Sequence, residues 1–452
     1  MNGGLSMVEM KSGYKMTEVG VIPEDWEVKE FNETFSVIPN NSLSRDYLNV
    51  QAGEYHDIHY GDVLIKYGAL LDAGDTEIPF INKAITDKWV NRRIVTEGDI
   101  IMADTAEDNT VGKCSEVINV NHKKIVSGLH TFWLHPNEGL FEKGFLGYFM
   151  NHSLYHNQLL PLIHGTKVSS VSKNEILGTR VLVPLKNEQT AIATALSDVD
   201  SLISALTKKI EKKKAIKQGL MQQLLTGKKR LPGYEKNRES VQTEWGAIPK
   251  DWKTLSIGKC CSIKARIGWQ GLKKSEYLSS GEYVLVTGTD FLNGRINWKS
   301  CVYVSKKRYE QDANIQIAKH DILITKDGTI GKVAFLDDVP CLGTLNSGIF
   351  VVRSHSKELD QSYLSKIFKS FIFDAFLESL VAGSTINHLY QKDFVHFNFP
   401  VPPTISEQTA IANILSDCDS EIAALEEKRD KYKEIKQGMM QQLLTGKIRL
   451  IK

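Results

Sequence analysis

The chain has 452 residues, 42% apolar and 24% charged, with a formal net charge of +2. That length builds two or three domains with their own cores, and the composition is that of a globular protein rather than a disordered or fibrous one. No apolar run reaches the roughly 18–20 residues of a membrane span, so a membrane partner is excluded. The six scattered cysteines form no C-x-x-C pair, which argues against a zinc site and fits a reducing cytoplasm.

In chain order, residues 1–14 have no apolar core of a signal peptide and read as a loose leader. Residues 15–186 form a first module. It opens on T-E-x-G-x-I-P-x-D-W (Thr17 to Trp26), a Gly/Pro turn followed by an aromatic core anchor, Trp26. Strand-like runs follow at Asp62 to Ile65 and Ile94 to Met102, then a helical stretch from Lys143 to Leu160 and a closing Pro184. Residues 187–227 form a long helix. Its apolar positions Ile192, Leu196, Val199, Ile203, Leu206 and Ile210 are spaced 4-3-4-3-4, a coiled-coil seam. Asn187 is its expected N-cap and Gly227 its C-terminal stop.

A charged, helix-breaking linker, 228–240, leads to a second module, 241–405. The same T-E-x-G-x-I-P-x-D-W motif recurs from Thr243 to Trp252. Strand-like runs lie at Tyr283 to Val286, Ile322 to Thr325 and Ile349 to Val352, a helical stretch at Gln361 to Leu380, and a closing proline at Pro403. A second long helix, 406–446, carries the seam Ile411, Leu415, Cys418, Ile422 and Leu425, with Ser406 as its expected N-cap and Gly446 as its stop; 447–452 is a tail. Residues 187–231 and 406–450 align without a gap, with 31 of 45 positions identical.

Such a repeat implies two equivalent helices carrying two unlike modules. A lone amphipathic helix of this length, about 58 Å, would expose its seam, and its twin is the simplest partner. Two equivalent helices pack most economically about a pseudo-two-fold axis, hence antiparallel. The expected fold is α+β: two globular α/β domains separated by two long helices that form an antiparallel coiled coil with pseudo-two-fold symmetry. Residues 207–230 hold nine Lys/Arg against one acid, and 426–452 eight against four, so the remainder is net acidic. Nucleic-acid contact would then use local basic surfaces or a partner's charge. The run Lys208 to Lys217 reads either as a solvated helix face or as one turned toward phosphates or an acidic partner.

The paired E-Q-T-A-I-A helix starts, the paired I-K-Q-G-[LM]-M-Q-Q-L-L-T-G-K helix ends and the two T-E-x-G-x-I-P-x-D-W lead-ins resemble the DNA-specificity subunit of type I restriction–modification enzymes, over nearly the whole chain from about residue 15. The stretches Arg266 to Leu272 and Lys326 to Lys332 add to the likeness. The resemblance implies two target recognition domains, each reading one half of an asymmetric bipartite site on double-stranded DNA. It implies helices that set the gap and dock two methyltransferase subunits, with restriction subunits added. It implies no chemistry on this chain: S-adenosylmethionine, ATP and Mg belong on partner subunits. The sequence agrees in lacking an N-P-P-[YF] tetrapeptide and a complete G-x-x-x-x-G-K-[ST] loop.

Candidate DNA-contacting residues are polar or aromatic side chains on Gly-flanked loops, since phosphates give affinity and base edges give specificity. In the second module these are Arg266, Trp269, Gln270, Thr289, Asp290, Lys326, Asp327, Thr329, Lys332, Ser384, Thr385, Asn387 and His388. In the first they are Tyr60, Lys66, Tyr67, Asp104, Thr110, Lys113, Thr166, Lys167 and Ser169. Trp269 reads more readily as a packing residue, and Ser384 and Thr385 equally as caps. Two other readings remain open: a non-catalytic coiled-coil scaffold presenting two interaction modules, and the recognition part of a fused methyltransferase–nuclease.

Overall fold

The computed structural model describes residues 12–86, 93–165, 167–235, 239–381 and 388–451, with the backbone alone at Trp269 and Val381. The chain divides into two compact units, one of residues up to 207 with those from 427 onward, the other of residues 208–426. Each long helix therefore serves both. They span Lys186–Leu224 and Ile405–Leu443 and have 39 residues each.

In the first unit, Ile192, Ala193 and Leu196 of the first helix share a core with Leu443 and Leu444 from the end of the second. Asp200 pairs with Lys436 (2.7 Å) and Glu188 with Arg449 (2.5 Å), so one segment rises in number as its neighbour falls. In the second unit, Met221 and Leu224 share a core with Ile411 and Leu415. There Lys213 pairs with Glu421 (2.7 Å), Lys217 with Asp419 (2.5 Å) and Arg230 with Glu407 (2.5 Å). Within each unit the helix segments run antiparallel, as the seam requires. None of the eleven seam residues is exposed; Val199, Ile203, Cys418 and Leu425 are half-buried and the rest buried. Half of the basic run is engaged inside the protein, with Lys213, Lys214 and Lys217 tied to acids of the second helix, while Lys208, Lys209 and Lys212 stay exposed.

The repeated motifs meet at one junction per unit. In the first, Arg449 reaches Asp25 (2.8 Å) and the fully buried Glu188, which also accepts the Trp26 indole N–H (2.8 Å). In the second, Arg230 reaches Asp251 (3.0 Å) and Glu407, and its guanidinium lies over the Trp252 ring. Gly227 and Gly446 stand in the left-handed region (φ +67° and +66°). A Cβ there would fall 2.6 Å from Pro249 Cδ or 2.4 Å from Pro23 Cγ. Glycine is thus needed both to stop each helix and to admit the proline of the lead-in.

Gln189 and Gln408 use the same trick. Gln189 binds Pro184 O and Glu142 N; Gln408 binds Pro402 O and Asp360 N. These buried polar contacts explain why E-Q recurs at both helix starts.

Each module is built on two larger sheets, beside several two-stranded ones. In the first, strands Phe35–Ile38, Thr131–Pro136, Ile100–Ala103 and Cys114–Ile118 are neighbours in that order and antiparallel, with Leu70–Asp72 parallel at the edge. In the second, Cys261–Lys264, Ile349–Ser354, Ile322–Thr325 and Val333–Phe335 repeat the order. A smaller sheet carries a parallel pair, Lys124–Ser127 with Tyr55–Ile58, or Leu342–Leu345 with Tyr283–Val286. The central strands are buried on both faces: Ile100 and Met102 join the helix-side core, and Ile101 and Ala103 the other. Both faces apolar at period two is why I-I-M-A and I-L-I-T read as continuous apolar runs.

Four expectations are corrected. Gly13 and Tyr14 belong to the fold, since Glu24 N–H bonds Gly13 O (3.0 Å) and the Tyr14 hydroxyl donates to Gly446 O (2.8 Å). Asp62 to Ile65 is part of a helix, Tyr60–Ile65, because the His59 side chain caps it at Gly61 N–H (3.2 Å). Of the Ile94 to Met102 run, only Ile100 onward is strand. The caps of the long helices are Leu185 and Thr404, not Asn187 and Ser406. Gln189 N–H bonds Leu185 O, and Thr404 Oγ1 accepts Glu407 N–H (3.2 Å), so Glu188 and Glu407 are free to turn inward to their arginines.

Candidate nucleic-acid interface

The central strand of each module ends in a loop held by the same set of backbone hydrogen bonds. In the first, Asp104 N–H donates to His130 O (3.1 Å) and Asp104 O accepts from Val171 N–H (3.0 Å). In the second, Lys326 N–H donates to Gly348 O (2.8 Å) and Lys326 O accepts from Leu389 N–H (2.8 Å). The turn beyond is closed by Ala103 N–H to Lys113 O and Gly112 N–H to Ala103 O in one, and by Thr325 N–H to Lys332 O and Gly331 N–H to Thr325 O in the other. Gly112 and Gly331 both have left-handed φ, and a Cβ would overlap Leu159 Cδ1 (2.2 Å) or Leu377 Cδ1 (2.4 Å). The next residues bridge outward too, Thr105 to Ser170 and Asp327 to His388.

A second tie pins the loop after the edge strand. In the first module Asn41 binds Ser127 O through both its backbone and side-chain N–H groups (2.9 Å each), and its amide reaches Asp57 Oδ2 (2.7 Å). In the second, Arg266 binds Leu345 O through Nε (2.9 Å) and Thr344 Oγ1 through Nη2 (3.1 Å). Asp57 is buried, which pushes its carboxyl up to about 7, and its Oδ1 has no partner among the described residues. Burial also lowers the Arg266 guanidinium from its ordinary value.

These ties sort the candidates. Arg266 is 2% exposed and spends its donors inside the module, so it is a pin rather than a reader. Gln270 is buried. Asp290 is buried and caps its own turn, accepting from Thr287 N–H (2.8 Å) and the Ser300 hydroxyl (2.8 Å). Tyr67 is buried as well, its hydroxyl driven up by desolvation. Their polar tips suggested loops, but packing turned them inward. The side chain of Trp269, and Thr166, Ser384, Thr385 and Asn387, lie outside the described residues.

On the surface of the second module remain Thr289, Thr329 and Lys332. Asp327 is exposed and paired with His388, while Lys326 Nζ lies 5.2 Å over the Phe350 ring. On the first, Tyr60 packs edge-on against His130 (5.3 Å), and Asp104 Oδ1 meets Thr105 Oγ1 (2.7 Å) and His130 Nδ1 (3.3 Å). Lys66 binds Glu77 O (2.6 Å), Lys113 binds Leu64 O (2.5 Å) and Thr110 binds Asp108 (2.5 Å). Lys167 is exposed and Ser169 pairs with Ala106. His130 and Tyr277, whose hydroxyl accepts from Asn346 (2.9 Å), join these surfaces unforeseen. Their signal was a short polar link between strand-like runs.

A cleft of about 930 Å³ in the second unit is lined by Lys214, Lys217, Lys366, Lys369 and Arg295 with Asp419 among them. Burial brings Lys369 down to about 8. Among the described residues no cluster of three or more His, Cys, Asp or Glu could hold a metal ion.

The sequence profile of the type I restriction modification DNA specificity domain matches twice, at residues 23–218 and 249–437. The chain is 26% identical over 441 residues, 97% of each chain, to the one assigned to the MjaX specificity subunit of a type I restriction enzyme of Methanocaldococcus jannaschii. It is 25% identical over 445 residues to the MjaVIII specificity subunit of that organism, covering 95% of this chain and 94% of the other. The crystal structure of the S subunit of a type I restriction–modification system from M. genitalium shares the fold, with a TM-score of 0.58, 13% identity, and coverage of 92% of this chain and 96% of that one.

Proposed function

The chain belongs to the type I restriction–modification DNA specificity family, and from that premise we propose that it is the non-catalytic, sequence-reading subunit of such a complex. Each module reads one half of an asymmetric bipartite site on double-stranded DNA. The long helices set the gap and dock two methyltransferase subunits, which bring S-adenosylmethionine; restriction subunits bring ATP and Mg. On this reading the assembly works in the cytoplasm. Separately, no described helix is long and apolar enough to cross a membrane.

The observation that supports this reading best is the matched pair of strand-end loops. One backbone network holds Asp104 and closes the turn of Thr110 and Lys113 in the first module, with Ser169 bridged beside it; Tyr60, Lys66 and Lys167 are candidates on neighbouring elements. It holds Lys326 and closes the turn of Asp327, Thr329 and Lys332 in the second, with His388 bridged beside it; Thr289 is a candidate on a separate turn. Shared wiring with unlike tips suits two readers of unlike half-sites. Exposed Lys332 and Lys167 suit phosphates, whose contacts make binding fall steeply with salt.

The test is to co-express the chain with its methyltransferase subunits and map modified bases across the host DNA. The expected result is one two-part motif with a constant gap. Inserting seven residues into each long helix should change the gap and leave both half-sites intact. Absence of any sequence-specific methylation would favour the scaffold reading instead.

A further inference from the structure

Asp104 and Lys326 occupy the same node of the two modules by every backbone tie described above: the carbonyl each N–H meets, the N–H each carbonyl meets, and the closed turn that follows. Their side chains have opposite charge. The surrounding turns follow suit, with Asp104, Glu107 and Asp108 against Lys113 in the first, and Lys326 and Lys332 against Asp327 in the second. Asp327 is already engaged by His388. Among the described residues Lys326 forms no ion pair.

A carboxylate brought to a duplex is repelled by the phosphates unless it meets an amino donor on a base edge. In the major groove a lone acceptor suits the N4 amino group of cytosine. Adenine sets an N7 acceptor beside N6 and favours a side chain that donates as well. Asp104 is held for such a role: Thr105 and His130 fix Oδ1, and the side chain stays 23% exposed. If the two modules dock alike, the equivalent node in the second sits at the same depth in the groove. There an ammonium meets the O6 and N7 acceptors of guanine.

Resting on the reading of the modules as DNA readers, we propose that Asp104 and Lys326 are matched specificity-determining residues. Asp104 selects a cytosine in one half-site, and Lys326 selects a guanine at the corresponding place in the other.

The test uses the full chain assembled with its methyltransferase subunits and the mapped motif as readout. Asp104→Ala should relax discrimination at one cytosine of one half-site by roughly tenfold to a hundredfold, leaving the other half-site and the gap unchanged. Lys326→Ala should do the same at one guanine of the other half. Asp104→Asn and Lys326→Arg keep shape and the needed acceptor or donors; they should retain the base with reduced selectivity, and they stand in if an alanine variant fails to assemble. Unchanged discrimination at every position in both alanine variants would overturn the proposal. So would a loss spread evenly over all sequences with a shallower salt dependence, the mark of a phosphate contact. A wild-type complex that methylates no defined motif would instead remove the parent reading.

Discussion

The two modules share their skeleton and differ at their tips, and the boundary between the two is sharp. The loop after the edge strand is tied to the same carbonyl in both, Ser127 O or Leu345 O, yet the donor is Asn41 backed by Asp57 in one and Arg266 backed by Thr344 in the other. The junctions follow the same rule in reverse. Asp25 with Glu188 and Arg449 matches Asp251 with Glu407 and Arg230 residue for residue, but the Trp26 indole binds its glutamate while Trp252 Nε1 has no partner among the described residues. Backbone geometry is the shared quantity, and side chains are exchanged wherever another donor reaches the same acceptor.

The largest expected effect breaks a junction. Glu407→Ala leaves Arg230, whose side chain is 8% exposed, with Asp251 alone, and should cost up to about 3–5 kcal/mol. Glu188→Ala leaves Arg449, at 27% exposed, with Asp25 alone and also orphans the buried Trp26 indole N–H, which adds about 1–3 kcal/mol. Denaturant unfolding followed by hydrogen exchange should show each loss in its own unit; a loss in the wrong unit would break the correspondence.

A smaller effect separates the two pins by pH. Asp57 titrates at about 7 in the folded chain against an ordinary 3.8, so between those values the folded state holds a proton that the unfolded state has released. The stability of the first unit should therefore fall as pH rises from about 4 to 7 and stay lower above that. Buried Glu116, also at about 7, adds to the trend. Asp57→Asn keeps an acceptor for Asn41 and should flatten part of the slope, leaving the share of Glu116; unfolding midpoints at pH 5 and pH 8 measure it. An unaltered slope would remove Asp57 from the account. The smallest effect is Lys213→Ala, which loosens an exposed cross-helix pair and should cost under about 1 kcal/mol.

The long helices, their seam, their glycine stops and the doubling of the chain follow from spacing alone, because periodicity and a left-handed glycine are local properties. The I-L-I-T run marked one central strand for the same reason, while the Ile94 to Met102 run overlapped the other only from Ile100. Interior polar residues did not announce themselves. Arg266, Gln270, Asp290 and Tyr67 have the composition of surface loops, and only strands distant in sequence make them pins and caps. The helix caps were displaced by two residues because Glu188 and Glu407 answer to Arg449 and Arg230, far along the chain.

By itself, then, the amino-acid sequence determined that there are two modules, two matched helices and an antiparallel seam, since local period and repetition demand them. The tertiary structure decided which helix segment completes which unit, which polar residues face inward, and that Asp104 and Lys326 share one node. Those outcomes depend on hydrogen bonds and buried charges between segments up to 432 residues apart, which no local pattern encodes.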